Sequence, residues 1–238
     1  MNKIILSSLL LFAFNASALS IDMSEQVKIK HTGGFVFFCE KDLLGEKYEQ
    51  YRTKVKKQLE IYNKEFLEDK IKKIILCNKI TLKRKKAAYA AGFYDPWKKE
   101  VYLSMKSNRN FVGTMHHEIS SYILRDLCQQ SKARCTLFKN RWRKNNKVNY
   151  LNKEWVNVKN NINLWWQKGF LGKYAMSNLE NDFNTTAEFL LTKRLRRKIK
   201  PNLHKFLKNH LNKMNQVVSL YKNYLTPEGY QKIMEWKK

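Results

Sequence analysis

Strand-type and helix-type patterns are segregated along this chain. The β-branched and aromatic runs FVFFC (35–39) and IKKIILCNKITL (71–82), and the alternating arm EVYLSM (100–105), all fall before residue 106. Beyond that point apolar residues recur at three- and four-residue steps, the period of a helix with one buried face. A strand and a helix, two or three further strands, and then helices only read as α+β: a small sheet followed by a mainly helical C-terminal half. With three prolines and eight glycines in 238 residues, the chain lacks the turn chemistry that a β-sandwich of many short strands needs.

The element expectations follow. FVFFC is a buried strand after the Gly33-Gly34 turn. From Glu46 to Phe66 the apolar positions Tyr48, Tyr51, Val55, Leu59, Tyr62 and Phe66 predict one amphipathic helix. The 71–82 run is a strand broken near Asn78, and 90–105 is a hairpin whose turn begins at Asp95-Pro96. A helix opens at about Asn110 and packs through Met115, Ile119, Tyr122 and Ile123. Residues 147–168 are expected to be helical, with Trp155, Trp165 and Trp166 as anchors, until Gly169 and Gly172 interrupt. A loop then leads into a helix within 173–191. A last helix runs from Asn202 to Tyr221 behind Pro201, with Leu203, Phe206, Leu207, Leu211, Met214, Val218 and Tyr221 on one side.

MNKIILSSLLLFAFNASALS has the charged, apolar and small-residue order of a secretory leader, so 1–18 is expected to be a cleaved signal peptide. Residues 19–238 then form a single domain, with 193–238 as a basic helical extension. The protein is expected to be secreted or periplasmic, without a transmembrane anchor. Four cysteines in an exported chain imply disulfides. Cys39 and Cys77 end two strands, and Cys128 and Cys135 bracket QQSKAR, yet three pairings are open to sequence. Lys+Arg 47 against Asp+Glu 20 gives a net charge of +27. Such a field attracts polyanions, so an acidic polymer or acidic protein is an expected partner, with the densest runs at KNRWRKNNK (139–147) and KRLRRKIK (193–200).

Residues 114–124 read TMHHEISSYIL. A zinc hydrolase helix carries H-E-x-x-H: two imidazoles one turn apart hold the metal, and the glutamate deprotonates its water. His117 and Glu118 fit the first two places, while Ser121 stands where the second histidine belongs. Upstream, GFYDPWKKEVYLSM resembles the sheet edge that holds extended substrate by strand addition. Downstream lies YAMSNLENDFNTTAEFLL. Together these segments resemble the gluzincin peptidases, particularly the catalytic domains of the anthrax lethal factor type. Those have a tyrosine, a loop, and a helix carrying the ligand glutamate in an E-D-F-A-E or E-F-F-A-E setting.

The resemblance spans about 90–191 and implies a peptidase acting on peptide or protein substrates with Zn²⁺ as cofactor. It implies His117 and Glu180 as metal ligands, Glu118 as general base, and Tyr174 as donor to the oxyanion. Counted from the tyrosine, the ligand glutamate falls on Asn181, flanked by Glu180 and Asp182, and either acid is a candidate. His116 is a further candidate ligand, or a packing residue. His210 is expected to pack in the last helix, His204 to face solvent, and His31 carries no signal. No G-x-S-x-G occurs to support a serine nucleophile. The alternative function is a metal-free scaffold of the same kind, acting as a basic binding protein for an acidic partner or envelope polymer.

Overall fold

The structure is a computed structural model, which describes residues 19–23, 27–30, 36–40, 45–82, 88–106, 111–146, 149–150, 162–192 and 203–237. The expectations for 1–18, His31, Gly33-Gly34, Asn110, Trp155, KRLRRKIK and Pro201 fall outside the described residues.

The strands are β1 (Ser20–Met23), β2 (Val27–Lys30), β3 (Val36–Glu40), β4 (Lys73–Cys77), β5 (Lys79–Leu82), β6 (Ala88–Ala90), β7 (Gly92–Asp95) and β8 (Glu100–Ser104). The helices are α1 (Gly45–Leu59), α2 (Lys64–Lys70), α3 (Phe111–Gln130), α4 (Lys132–Arg143), α5 (Ile162–Gln167), α6 (Leu179–Leu191), α7 (Leu203–Tyr221) and α8 (Pro227–Met234). This is the expected α+β arrangement, with two four-stranded sheets rather than one small one. The first has order β1-β4-β8-β7 and the second β2-β3-β5-β6.

Alternation of side chains places the first sheet between two cores. Ile74, Leu76, Val101 and Leu103 point to the helices and join the main cluster with Met115, Ile119 and Ile123 of α3. The intervening residues Ile75, Cys77 and Tyr102 point the other way and meet Cys39 and Ile80 of the second sheet. Cys39 and Cys77 are disulfide-bonded there, with Cα atoms 5.3 Å apart. The break foreseen at Asn78 is where the chain leaves one sheet for the other: Asn78 N–H donates to Glu40 O at 2.9 Å. The hairpin turn also follows expectation, as Asp95 Oδ1 accepts from the N–H of Trp97 and Lys98.

Three element expectations are corrected. The single helix over 46–66 is two, divided at residues 60–63. Tyr62 pairs with Leu225 in an isolated antiparallel bridge. Asn63 N–H donates to Tyr224 O, and Thr226 N–H to Ile61 O. Backbone pairing with a distant segment overrides the local helical period here. Gly229 permits this closeness, because a Cβ on it would sit 2.1 Å from Ile61 O. In 147–168 the described helix is only α5; Trp166 is buried and Trp165 half-buried. Leu211 is 43% exposed, whereas Met214, Val218 and Tyr221 are buried as expected, together with His210 and Val217; the side chains of Leu203, His204, Phe206 and Leu207 fall outside the described residues.

Two helices were not anticipated. Ser131 caps α4 by accepting from Arg134 N–H, and Thr226 caps α8 by accepting from Gly229 N–H. Cys128 and Cys135 join α3 to α4. Met214, Tyr221 and Ile233 of the C-terminal helices lie in the same core as α3 and α6.

Candidate functional site

The site forms where α3 crosses α6, with the edge strand β7 alongside. His117 and Ser121 are one turn apart on α3 and share a face. Across from them α6 presents Asn181, Asn184 and Glu188, spaced three and four residues apart. The residues meet in two rungs. His117 Nδ1 lies 3.5 Å from Glu188 Oε2, and Asn184 Nδ2 donates to Ser121 Oγ at 2.7 Å. Asn181, whose side chain lies near His117, donates from Nδ2 to Ser177 Oγ at 2.7 Å. Burial pulls the His117 imidazole down, but the Glu188 bond and the Glu118 and Glu188 charges more than offset it and hold its pKa above the ordinary value.

Glu118 is 8% exposed and has no hydrogen bond or ion pair among the described residues. Burial pushes its carboxyl up to about 7; His117 opposes the rise, and the charges of Glu180 and Glu188 add to it. Gly92 of β7 lets the helix come this close. A Cβ there would stand 2.7 Å from Thr114 Cγ2 and 3.2 Å from Glu118 Cγ.

Tyr174 lies in a short 3-10 turn, Tyr174–Met176, at the entrance to α6. Its ring centroid is 5.6 Å from that of His117, and the residue is 49% exposed. Desolvation of its hydroxyl, with Glu118 beside it, pushes its pKa up to about 12. Glu180 is half-buried in the first turn of α6, near enough to Tyr94 for its charge to help burial raise the pKa of that hydroxyl.

His117, Glu118, Tyr174 and Glu180 are therefore neighbours, as the sequence suggested. His116 is elsewhere. It is fully buried, with Nδ1 2.8 Å from the Tyr62 hydroxyl and Nε2 3.4 Å from Gln58 Oε1. Burial lowers its pKa to about 3. Adjacent residues on a helix diverge by about 100°, so His117 faces α6 while His116 faces α1 and the 60–63 link that follows it. Asp182 is likewise turned away. Its Oδ2 accepts from Lys213 Nζ at 2.6 Å, Trp142 Nε1 at 2.8 Å and the Tyr150 hydroxyl at 3.0 Å. Of the two candidate acids, Glu180 lies on the side of Glu118 and Asp182 belongs to the interior.

Asn184 and Glu188 were missed. Counting from Tyr174 stopped at 180–182, although the spacing N-x-x-N-x-x-x-E marks one polar helical face and was there to be read.

The donor set does not fit zinc. A hydrolytic zinc centre takes three protein ligands from histidine, cysteine and carboxylate side chains. Here the position one turn after His117 holds a neutral hydroxyl, already engaged by Asn184, and Glu188 faces His117 Nδ1. Among the described residues, no group of three or more His, Cys, Asp and Glu side chains is placed to hold a metal ion.

No family model matches the sequence, and no curated protein matches it either. The fold is similar to that of a putative zinc-binding metallo-peptidase from Bacteroides caccae, with a TM-score of 0.53 at 15% sequence identity, over 93% of this chain and 86% of that one. At that identity the likeness extends to the fold, an α+β metallopeptidase-like architecture.

Proposed function

We propose that this protein is an exported peptide-binding protein, built on a metallopeptidase-like fold and working without a zinc centre. The observation that carries this reading is the Asn184–Ser121 hydrogen bond at 2.7 Å. A neutral amide and hydroxyl occupy each other where a second imidazole and a ligand carboxylate would be needed. The lethal factor resemblance supports it once shifted three residues. In that register the E-F-F-A-E setting falls on N-T-T-A-E (184–188), with Asn184 in the place of the ligand glutamate.

The means of holding a peptide are retained. Among the described residues β7 pairs with β8 alone, so its outer edge offers backbone donors and acceptors to an added extended strand. Two disulfides suit an oxidising compartment. No described helix is long and apolar enough to cross a membrane. The net charge of +27 adds a less specific pull on acidic polymers over the outer surface, which salt weakens.

One observation favours a second reading, zinc-dependent peptide hydrolysis with Glu118 as general base. The Glu118 carboxyl, held at about 7, has the proton affinity that a general base needs near neutral pH. Elemental analysis after dialysis against zinc separates the two, paired with a peptide cleavage assay. The binding reading expects no stoichiometric zinc and no cleavage. One zinc per chain, with cleavage abolished by Glu118→Gln, would replace it with the hydrolytic one.

A further inference from the structure

We infer that the Glu118 carboxylate, at the crossing of α3 and α6, receives an organic cation, the ammonium or guanidinium group of a bound peptide. This rests on the peptide-binding reading and names the chemistry that the peptide must carry.

The starting point is a missing partner. Five carboxylates are buried among the described residues: Asp95, Glu118, Asp126, Asp182 and Glu188. Four have groups that compensate them. Asp95 accepts from two backbone N–H groups. Asp126 meets Lys70 Nζ at 2.9 Å and the Tyr224 hydroxyl at 2.9 Å. Asp182 meets Lys213, and Glu188 faces His117. Glu118 alone has neither a hydrogen bond nor an ion pair within the described chain.

His117 offsets part of the burial penalty on Glu118, but a carboxylate so largely withdrawn from water gains further from a cation that can approach it. The chain does not lack cations, since it carries 47 lysines and arginines against 20 acids. The compensating charge is one that a ligand brings.

The surroundings suit an organic cation better than a metal ion. Glu180 and Glu188 add negative charge near Glu118, so a cation beside Glu118 is drawn by their field as well. Two tyrosines lie beside these carboxylates: Tyr174, half-exposed and next to the His117 ring, and Tyr94, whose hydroxyl pKa is raised by burial and by the nearby Glu180. Carboxylates backed by aromatic rings attract ammonium and guanidinium groups through charge and the ring quadrupole together. The Ser121–Asn184 rung meanwhile supplies no ligand that a transition metal prefers.

The positive group can come from a lysine or arginine side chain, or from a free peptide amino terminus. Three heptapeptides in an alanine host, fluorescently labelled at the C-terminus, distinguish these sources by anisotropy. One is N-acetylated with central arginine, one N-acetylated with central norleucine, and one has central norleucine with a free amino terminus. At least one charged peptide is expected to bind about tenfold tighter than the acetylated norleucine peptide, the scale of one charge-assisted hydrogen bond. Glu118→Gln is expected to erase that difference, so that the charged peptides bind no tighter than the acetylated norleucine peptide. Glu180→Gln, with thermal melts of both variants, guards against misfolding and is expected to reduce the difference.

Equal binding of all three peptides to the unaltered protein would overturn the inference and leave peptide binding standing. A charge preference that survives in both variants would overturn it as well. Absence of binding by any of the three would remove the peptide reading and this inference with it.

Discussion

The helices α3 and α6 hold two buried carboxylates in opposite circumstances. Asp182 lies deep between α6 and α7, where one oxygen gathers an ammonium, an indole N–H and a phenol. Glu118, nearly as buried, faces the cleft with no donor of its own. The first arrangement serves cohesion. Lys213 reaches past Trp142 and Phe170 to bond both Asp182 and the Gly169 carbonyl, tying three segments at one point. The second does nothing for cohesion. Asp182 is held by three donors on one oxygen, its other oxygen being buried without a partner, whereas Glu118 has no donor within the described chain.

The largest expected effect tests the complete pair. Lys213→Met leaves Asp182 with an uncompensated charge and should lose about 3–5 kcal/mol of stability by denaturant unfolding. A second substitution, Asp182→Leu, should restore much of that loss. If Lys213→Met costs no more than a surface change, the contrast disappears.

Glu118→Gln should do the reverse and stabilise the protein. The folded pKa of about 7 exceeds the ordinary 4.5, so the native state resists ionisation. The penalty is absent below about pH 4.5, grows as pH rises through 7, and is complete above it. Melting at pH 8 should show a gain of about 1–3 kcal/mol, and melting at pH 4 almost none. A gain of equal size at both values would mean that packing, not charge, is responsible.

The smallest effect concerns the neutral rung. Ser121→Ala strands the Asn184 amide and should cost about 1 kcal/mol, with a pH dependence unchanged from the parent. A pH-dependent loss would show that Ser121 is coupled to the His117–Glu188 rung after all.

Much of the frame was legible in the sequence because it follows from local period and turn chemistry. The buried face of α3, the hairpin at Asp95-Pro96 and the break at Asn78 all rest on neighbours within a few residues. The division of α1 from α2 was not legible. It depends on Tyr62 meeting Leu225, more than 160 residues away along the chain, and no local pattern announces that pairing.

The candidate site divides in the same way. Motif spacing on a single helix located His117 and Glu118, and the tyrosine before α6 located Tyr174 and Glu180. The partners of Ser121 and His117 depend on how α6 is rotated against α3, which is decided by the burial of Phe183, Ala187 and Leu190 on its other side. A reading that weighed those apolar positions against the polar stripe of α6 would have reached Asn184 and Glu188.

The Cys39–Cys77 bond has a consequence for the chain before it folds. It closes a loop with a sequence separation of 38 residues, and that loop contains the whole of α1 and α2. Once oxidised, the denatured polymer is a lasso rather than a line, with about 4 kcal/mol less disorder to surrender by the loop-entropy relation. Renaturation would then begin with the ends of β3 and β4 already side by side.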